Sequence, residues 1–104
     1  MKRAEIAITG IVQGIGFRPF IYNLARTHSI RGWVLNNEKG VLIDAESEDG
    51  NLDQFIQDIP KLAPPLARIE SFQIKHLEPL GYTTFEIRKS EETQDKFVIN
   101  SPYD

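Results

Sequence analysis

The segment Gln13-Gly14-Ile15-Gly16-Phe17-Arg18 sets two glycines beside an arginine, a combination suited to holding an anion. Glycines let a backbone approach a ligand closely and accept positive φ. Successive N–H groups in such a turn can form a concave nest around a phosphate. A helix starting there adds its own unpaired N–H groups and the positive end of its dipole. Arg18 would contribute a planar, two-pronged donor. A plain strand-to-helix turn with a solvated arginine would contain the same residues, so physics alone leaves both readings open. The segment is neither a P-loop, which needs a Gly-Lys-Ser/Thr ending, nor a dinucleotide fingerprint, whose glycine spacing differs.

The surrounding elements must position this turn. Glu5 to Val12 is apolar and β-branched and predicts a buried strand. After the glycines, Phe17, Phe20, Ile21, Leu24 and Ala25 recur at helical spacing. A helix is therefore expected from Gly16 or Phe17 to His28, with Pro19 in its first turn. Ile30–Asn36 and Val41–Glu46 predict two strands joined as a hairpin through Asn37-Glu38-Lys39-Gly40. In the second of these, Val41, Ile43 and Ala45 alternate with Asp44 and Glu46. Asn51, with Gln54 at the capping-box position, predicts the start of a second helix. Its stripe is Leu52, Phe55, Ile56 and Ile59, and Pro60 and Pro64-Pro65 mark its end. Ala67–Leu77 predicts a fourth strand, with Phe72 and Ile74 as core contacts, and Phe85–Arg88 a short last one.

The order β-α-β-β-α-β predicts an α+β, ferredoxin-like sandwich: an antiparallel sheet with two helices on one face and the other face partly open. Residues 1–90 form the expected domain and 91–104 a linker or tail, with the pair Glu91-Glu92 solvated and Phe97–Ile99 a brief apolar island. At 104 residues, 40% hydrophobic and 26% charged, the composition is that of one soluble domain. A formal net charge of -3 argues against a nucleic-acid module. The chain has no cysteine, and its two histidines, His28 and His76, are far apart, so neither a disulfide framework nor a metal site is expected. No stretch approaches membrane-spanning length and no signal peptide is evident. A cytoplasmic monomer without a cofactor is the expectation.

Gly10-Ile11-Val12-Gln13-Gly14-Ile15-Gly16-Phe17-Arg18 resembles the signature of the acylphosphatase family, and Gly32-Trp33-Val34-Leu35-Asn36 with Gly40-Val41 resembles its second motif. The resemblance spans roughly residues 4 to 90. Arg18-Pro19-Phe20 and Pro64-Pro65-Leu66-Ala67-Arg68-Ile69 resemble one branch, the N-terminal acylphosphatase-like domain of hydrogenase-maturation carbamoyltransferases. The tail Asn100-Ser101-Pro102-Tyr103-Asp104 resembles the run toward that branch's zinc-finger-like region.

The resemblance implies hydrolysis of a carboxyl phosphate, with carbamoyl phosphate as the expected substrate. The family's catalytic pair maps onto Arg18 and Asn36. Arg18 would hold the phosphate, and the cradle Gln13, Gly14, Ile15, Gly16, Phe17 and Arg18 would surround it. Asn36 would orient the attacking water, and the substrate would take up the proton. Downstream domains of the same polypeptide and a hydrogenase-maturation protein are the implied partners.

Other residues are expected to be structural. Gln13 should serve structure more than catalysis, Trp33 the core, and Lys39 an exposed turn. His28 should satisfy carbonyls at a helix end, and His76 should lie on a strand surface. One position departs from the family pattern: Leu35 stands where free-standing members often carry a basic residue. Two alternatives stand beside hydrolysis by the leading domain of a carbamoyltransferase. One is a non-catalytic module binding phosphate or carbamoyl phosphate, and the other is a stand-alone general acylphosphatase. A regulatory or RNA-binding ferredoxin-like domain lacks an RNP-type aromatic pair.

Overall fold

The computed structural model describes residues 1–89; the expected linker, the Glu91-Glu92 pair and the Phe97–Ile99 island lie outside them. Seven elements follow in the order β1 (Lys2–Ile11), α1 (Phe17–Thr27), β2 (Arg31–Asn37), β3 (Gly40–Ser47), α2 (Asp49–Leu62), β4 (Arg68–Leu77) and β5 (Phe85–Ile87). They build one five-stranded sheet in the order β4-β1-β3-β2-β5. The ferredoxin-like arrangement is thus present. The sheet is antiparallel as expected apart from β5, which runs parallel to β2, with Gly32 opposite Phe85 and Val34 opposite Ile87.

The strand registers sort side chains by face. Ile6 lies opposite Ile43 and Ile8 opposite Val41, and all four are buried under the helices. Phe17, Ile21, Leu24 and Ala25 bury the core stripe of α1, and Leu52, Phe55 and Ile59 that of α2. Phe72 is half-buried against this core as expected, but Ile74 is 41% exposed. That correction follows from topology: β4 is an edge strand, and the helices lie over the strands beside it.

The first helix keeps its expected span, and the second departs from its expected start. The second starts at Asp49, with Glu48 rather than Asn51 at the N-cap and no side-chain cap. Leu52 N–H already bonds Glu48 O at 3.0 Å, and Gln54 reaches forward to Asp58 Oδ1 at 2.9 Å instead of back. Asp49 in the first turn complements the helix dipole. Pro60 lies inside the helix, which continues to Leu62, because a proline in the last turn removes just one late hydrogen bond. The first helix ends in a Schellman arrangement. Ser29 adopts φ 57, its N–H bonds Arg26 O at 3.3 Å, and Ile30 N–H bonds Ala25 O at 2.8 Å. The His28 side chain was expected to serve carbonyls at this end. It points instead to α2, with Nε2 2.9 Å from Asp58 Oδ2.

The face away from the helices is more closed than its polar alternation suggested. Asp44 and Glu46 project onto it, yet are 2% and 0% exposed. Residues 78–84 cross over them. Arg3 grips Asp44 with Nε at 2.8 Å and Nη2 at 2.9 Å, and Tyr82 O–H donates to Asp44 Oδ2 at 2.9 Å. Trp33 is half-buried on this face, and its indole N–H donates to Tyr82 Oη at 3.2 Å. Glu46 accepts the N–H of Leu80 at 2.7 Å and of Gly81 at 3.0 Å. Leu35, buried on this same face, pairs with Leu42.

Candidate active site

Four segments meet at the end of the sheet where β1 and β2 finish. They are the loop from Val12 to Gly16, the first turn of α1, the Asn37–Gly40 turn and the exit of β5. The loop owes its shape to two glycines. Gly14 has φ 75 and Gly16 φ 82, while Ile15 between them keeps a negative φ and Phe17 begins the helix. This alternation of hand turns successive N–H groups toward one concavity. A Cβ at Gly14 or Gly16 would meet nothing within 4 Å. The glycines therefore answer a backbone requirement and leave open space beside the loop.

The start of α1 has no side-chain cap. Phe20 N–H bonds Gly16 O at 3.0 Å, so the N–H groups of Phe17 and Arg18 precede the first intrahelical bond. Pro19 at the next position carries no N–H to satisfy. Two donors and the positive end of the helix dipole thus face the loop.

Arg18 is half-buried, with Nη1 3.3 Å from Arg88 O. Arg88 N–H in turn bonds Val34 O at 2.8 Å. Two hydrogen bonds therefore link the Arg18 guanidinium to β2, two residues before Asn36. The Arg88 side chain reaches the other face of the sheet, with its guanidinium 5.0 Å from the centroid of the Trp33 ring.

Asn36 lies opposite Val41, which sets its side chain on the helix side of the sheet with the loop and α1. Its Oδ1 is buried and takes no hydrogen bond from any described residue. An unmatched buried acceptor costs about 1–3 kcal/mol, so this is an unusual group to find at a strand end. The loop and the turn also touch directly. The Gln13 side-chain amide donates to Asn37 O and, at 2.9 Å, to Gly40 O. Asn37 Oδ1 accepts the N–H of Lys39 and of Gly40, both at 2.9 Å. A cleft of about 260 Å³ lies beside Gln13, with Ile11, Glu38 and Lys39 on its walls.

Of the residues singled out in the sequence, the structure gathers Gly14 to Arg18 and Asn36 at one end of the sheet. The Gln13 side chain faces the turn carbonyls, so any part it takes in an anion cradle is through its backbone. Lys39 and His76 are exposed, as expected. Arg88 was missed as a site residue, since no local pattern announces which carbonyl an arginine will meet 70 positions away. Among the described residues, no group of three His, Asp or Glu side chains is placed to hold a metal ion. No helix there is long and apolar enough to cross a membrane.

Known proteins are similar to this chain in sequence and in fold. The chain is 46% identical over 90 residues to a carbamoyltransferase HypF of Rhizobium leguminosarum bv. viciae, covering 86% of this chain and 12% of that protein. It is 38% identical to an acylphosphatase of Oceanobacillus iheyensis, covering 85% of this chain and 99% of that one. Among solved structures, full-length HypF in its phosphate- and nucleotide-bound form superposes with a TM-score of 0.82 at 36% identity, over 88% of this chain and 12% of that one. The chain thus matches whole acylphosphatases end to end but spans about one eighth of the carbamoyltransferases. The acylphosphatase family model matches residues 4–87, from the first strand through β5. With the glycine loop, the arginine at the helix start and the strand-end asparagine all inside that match, the chain belongs to the acylphosphatase family.

Proposed function

We propose that this domain hydrolyses an acyl phosphate, with Arg18 holding the phosphoryl group and Asn36 orienting the water that attacks it. The observation that carries this reading is the buried, unpartnered Oδ1 of Asn36 on the same side of the sheet as the uncapped loop. An amide oxygen there can accept a hydrogen bond from water while the loop N–H groups and Arg18 hold the phosphoryl oxygens. The water oxygen forms the new P–O bond, the bond from phosphorus to the acyl oxygen breaks, and the leaving group departs as a carboxylate. Asn36 is not a base, so the water's proton passes to the phosphoryl group of the substrate. Phosphoryl transfer depends chiefly on positioning and electrostatics, which fits a site without a nucleophilic side chain. The reading requires no cofactor.

Carbamoyl phosphate is the substrate we favour, because of the likeness to HypF carbamoyltransferases. In that setting the domain is the first part of a longer polypeptide. The carbamate it releases passes to later ATP-dependent steps and, in the end, to a hydrogenase-maturation partner. Hydrolysis by a stand-alone acylphosphatase is favoured instead by the end-to-end match with the Oceanobacillus protein.

The test is phosphate release by the domain from carbamoyl phosphate and acetyl phosphate, with a phosphate titration in parallel. Loss of one preorganised charge-stabilising donor costs about 10²–10³ in rate, and a drop of at least that order is expected for Arg18→Ala. Near-normal turnover by a folded Arg18→Ala protein rejects the assignment. Phosphate binding without turnover by the unaltered domain favours a binding module. Faster turnover of acetyl than of carbamoyl phosphate favours a general acylphosphatase.

A further inference from the structure

The Gln13 side chain is exposed, yet its amide nitrogen is fully committed. It donates to Asn37 O and to Gly40 O, the two carbonyls that flank the tip of the β2–β3 turn. A primary amide has two N–H hydrogens, so two acceptors exhaust it and no donor remains for a phosphate. The turn it grips is also braced from within, since Asn37 Oδ1 holds the N–H of Lys39 and Gly40. A rigid turn joined to the loop at one point fixes the relation between the loop and the residue just before the turn, which is Asn36.

We propose that Gln13 is a positioning residue that sets the distance between the phosphate loop and Asn36, so that turnover depends on it while phosphate capture does not. This rests on the hydrolytic reading above. The loop keeps its shape through Gly14, Gly16 and the helix start, none of which needs the Gln13 side chain. Asn36 sits on a different strand, and the described side-chain link from the loop to the turn beyond it is this amide. Misplacing a reacting group by 1 Å can cost about 10²-fold in rate.

The informative variants are Gln13→Glu and Gln13→Ala. Glutamate keeps the length and shape but offers no donor and sets a carboxylate against two carbonyls; alanine removes the contact. Both should lower kcat about 10- to 100-fold, a range bounded by the effect of such misplacement. KM and the phosphate Kd should stay within about twofold, because the loop donors are intact. In ¹⁵N-resolved NMR, the Asn36 side-chain amide pair and the Lys39 and Gly40 amides should move in both variants. Phosphate should still shift Gly16 and Phe17.

Unchanged kcat overturns the proposal. So does a weakened phosphate Kd in parallel with kcat, which would place Gln13 in the cradle itself. If the unaltered domain turns over no acyl phosphate, the hydrolytic reading fails on that protein alone. The brace is still judged by the spectra, where unmoved Asn36, Lys39 and Gly40 signals reject it.

Discussion

On the sheet face away from the helices, all four carboxylate oxygens of Asp44 and Glu46 have partners, supplied by Arg3, Tyr82 and the N–H groups of Leu80 and Gly81. At the end of the same sheet, on the helix side, Asn36 Oδ1 is buried without a partner, and α1 begins with no side-chain cap. Arg31 Nε, across from Glu46, is also buried without a partner, so the contrast is between carboxylates with every oxygen matched and a strand-end amide oxygen with none. Closure lets buried charge persist in a fold, since a carboxylate without partners would be strongly penalised. Openness has no structural return, and departures from local consistency of this kind gather where a protein acts.

The comparison is sharpest if the two regions fail in different currencies. Arg18→Ala should reduce turnover about 10²–10³-fold while leaving thermal stability near that of the parent. Glu46→Ala should do the reverse. It removes a buried acceptor of two N–H groups, each bond to a charged group being worth about 1.5–3 kcal/mol, and leaves a cavity. At about 4–8 °C per kcal/mol for a domain of this size, Tm should drop by more than about 10 °C. Turnover measured well below the new Tm should be retained. Loss of kcat in a folded Glu46→Ala protein would show that the two networks are coupled.

Asn36→Ala is the intermediate case. It deletes an unsatisfied acceptor, so stability should hold or rise by up to about 1 kcal/mol while kcat falls by about 10²-fold. A marked fall in Tm, read by calorimetry, would mean that the Asn36 amide has a structural duty.

The smallest effect concerns pH. Burial, and then the hydrogen bond to the Asp44 carboxylate, holds the Tyr82 phenol above its ordinary pKa of 10.0. With the folded value raised, its stabilising contribution is fully present below pH 10.0 and is lost as pH rises through the folded value. Tyr82→Phe should therefore flatten the alkaline fall of Tm, which a thermal series from neutral to alkaline pH would detect. Equal slopes in the two proteins would remove Tyr82 from the network's pH response.

The open region was the more legible one in the sequence, and the reason is locality. Gly14, Gly16 and Arg18 lie within five positions, and the strand-to-helix change around them follows from a switch in apolar spacing. The element order and the helix stripes were readable for the same reason. The closed network joins Arg3 to Asp44 across 41 positions and Leu80 to Glu46 across 34. In a single sequence, Asp44 and Glu46 look like the solvent side of an alternating strand, and only the path of residues 78–84 buries them. Ile74 was misjudged for a related cause, since its apolar spacing is real but strand order places it at an edge. The start of α2 was misplaced because Asn51 and Gln54 satisfy a capping pattern that the chain does not use there.

The parallel strand β5 carries one further consequence, for the order in which the molecule is made. A ribosome releases β1, the glycine loop, α1 and Asn36 before the β2–β3 turn. The carbonyl that receives the Arg18 guanidinium belongs to Arg88, whose own N–H must first find Val34. A nascent chain halted before that residue could fold much of its helix-covered core and still leave Arg18 without its resting partner. Assembly of the site would then be timed by β5, the last of the described strands to emerge, after most of the described scaffold is already in place.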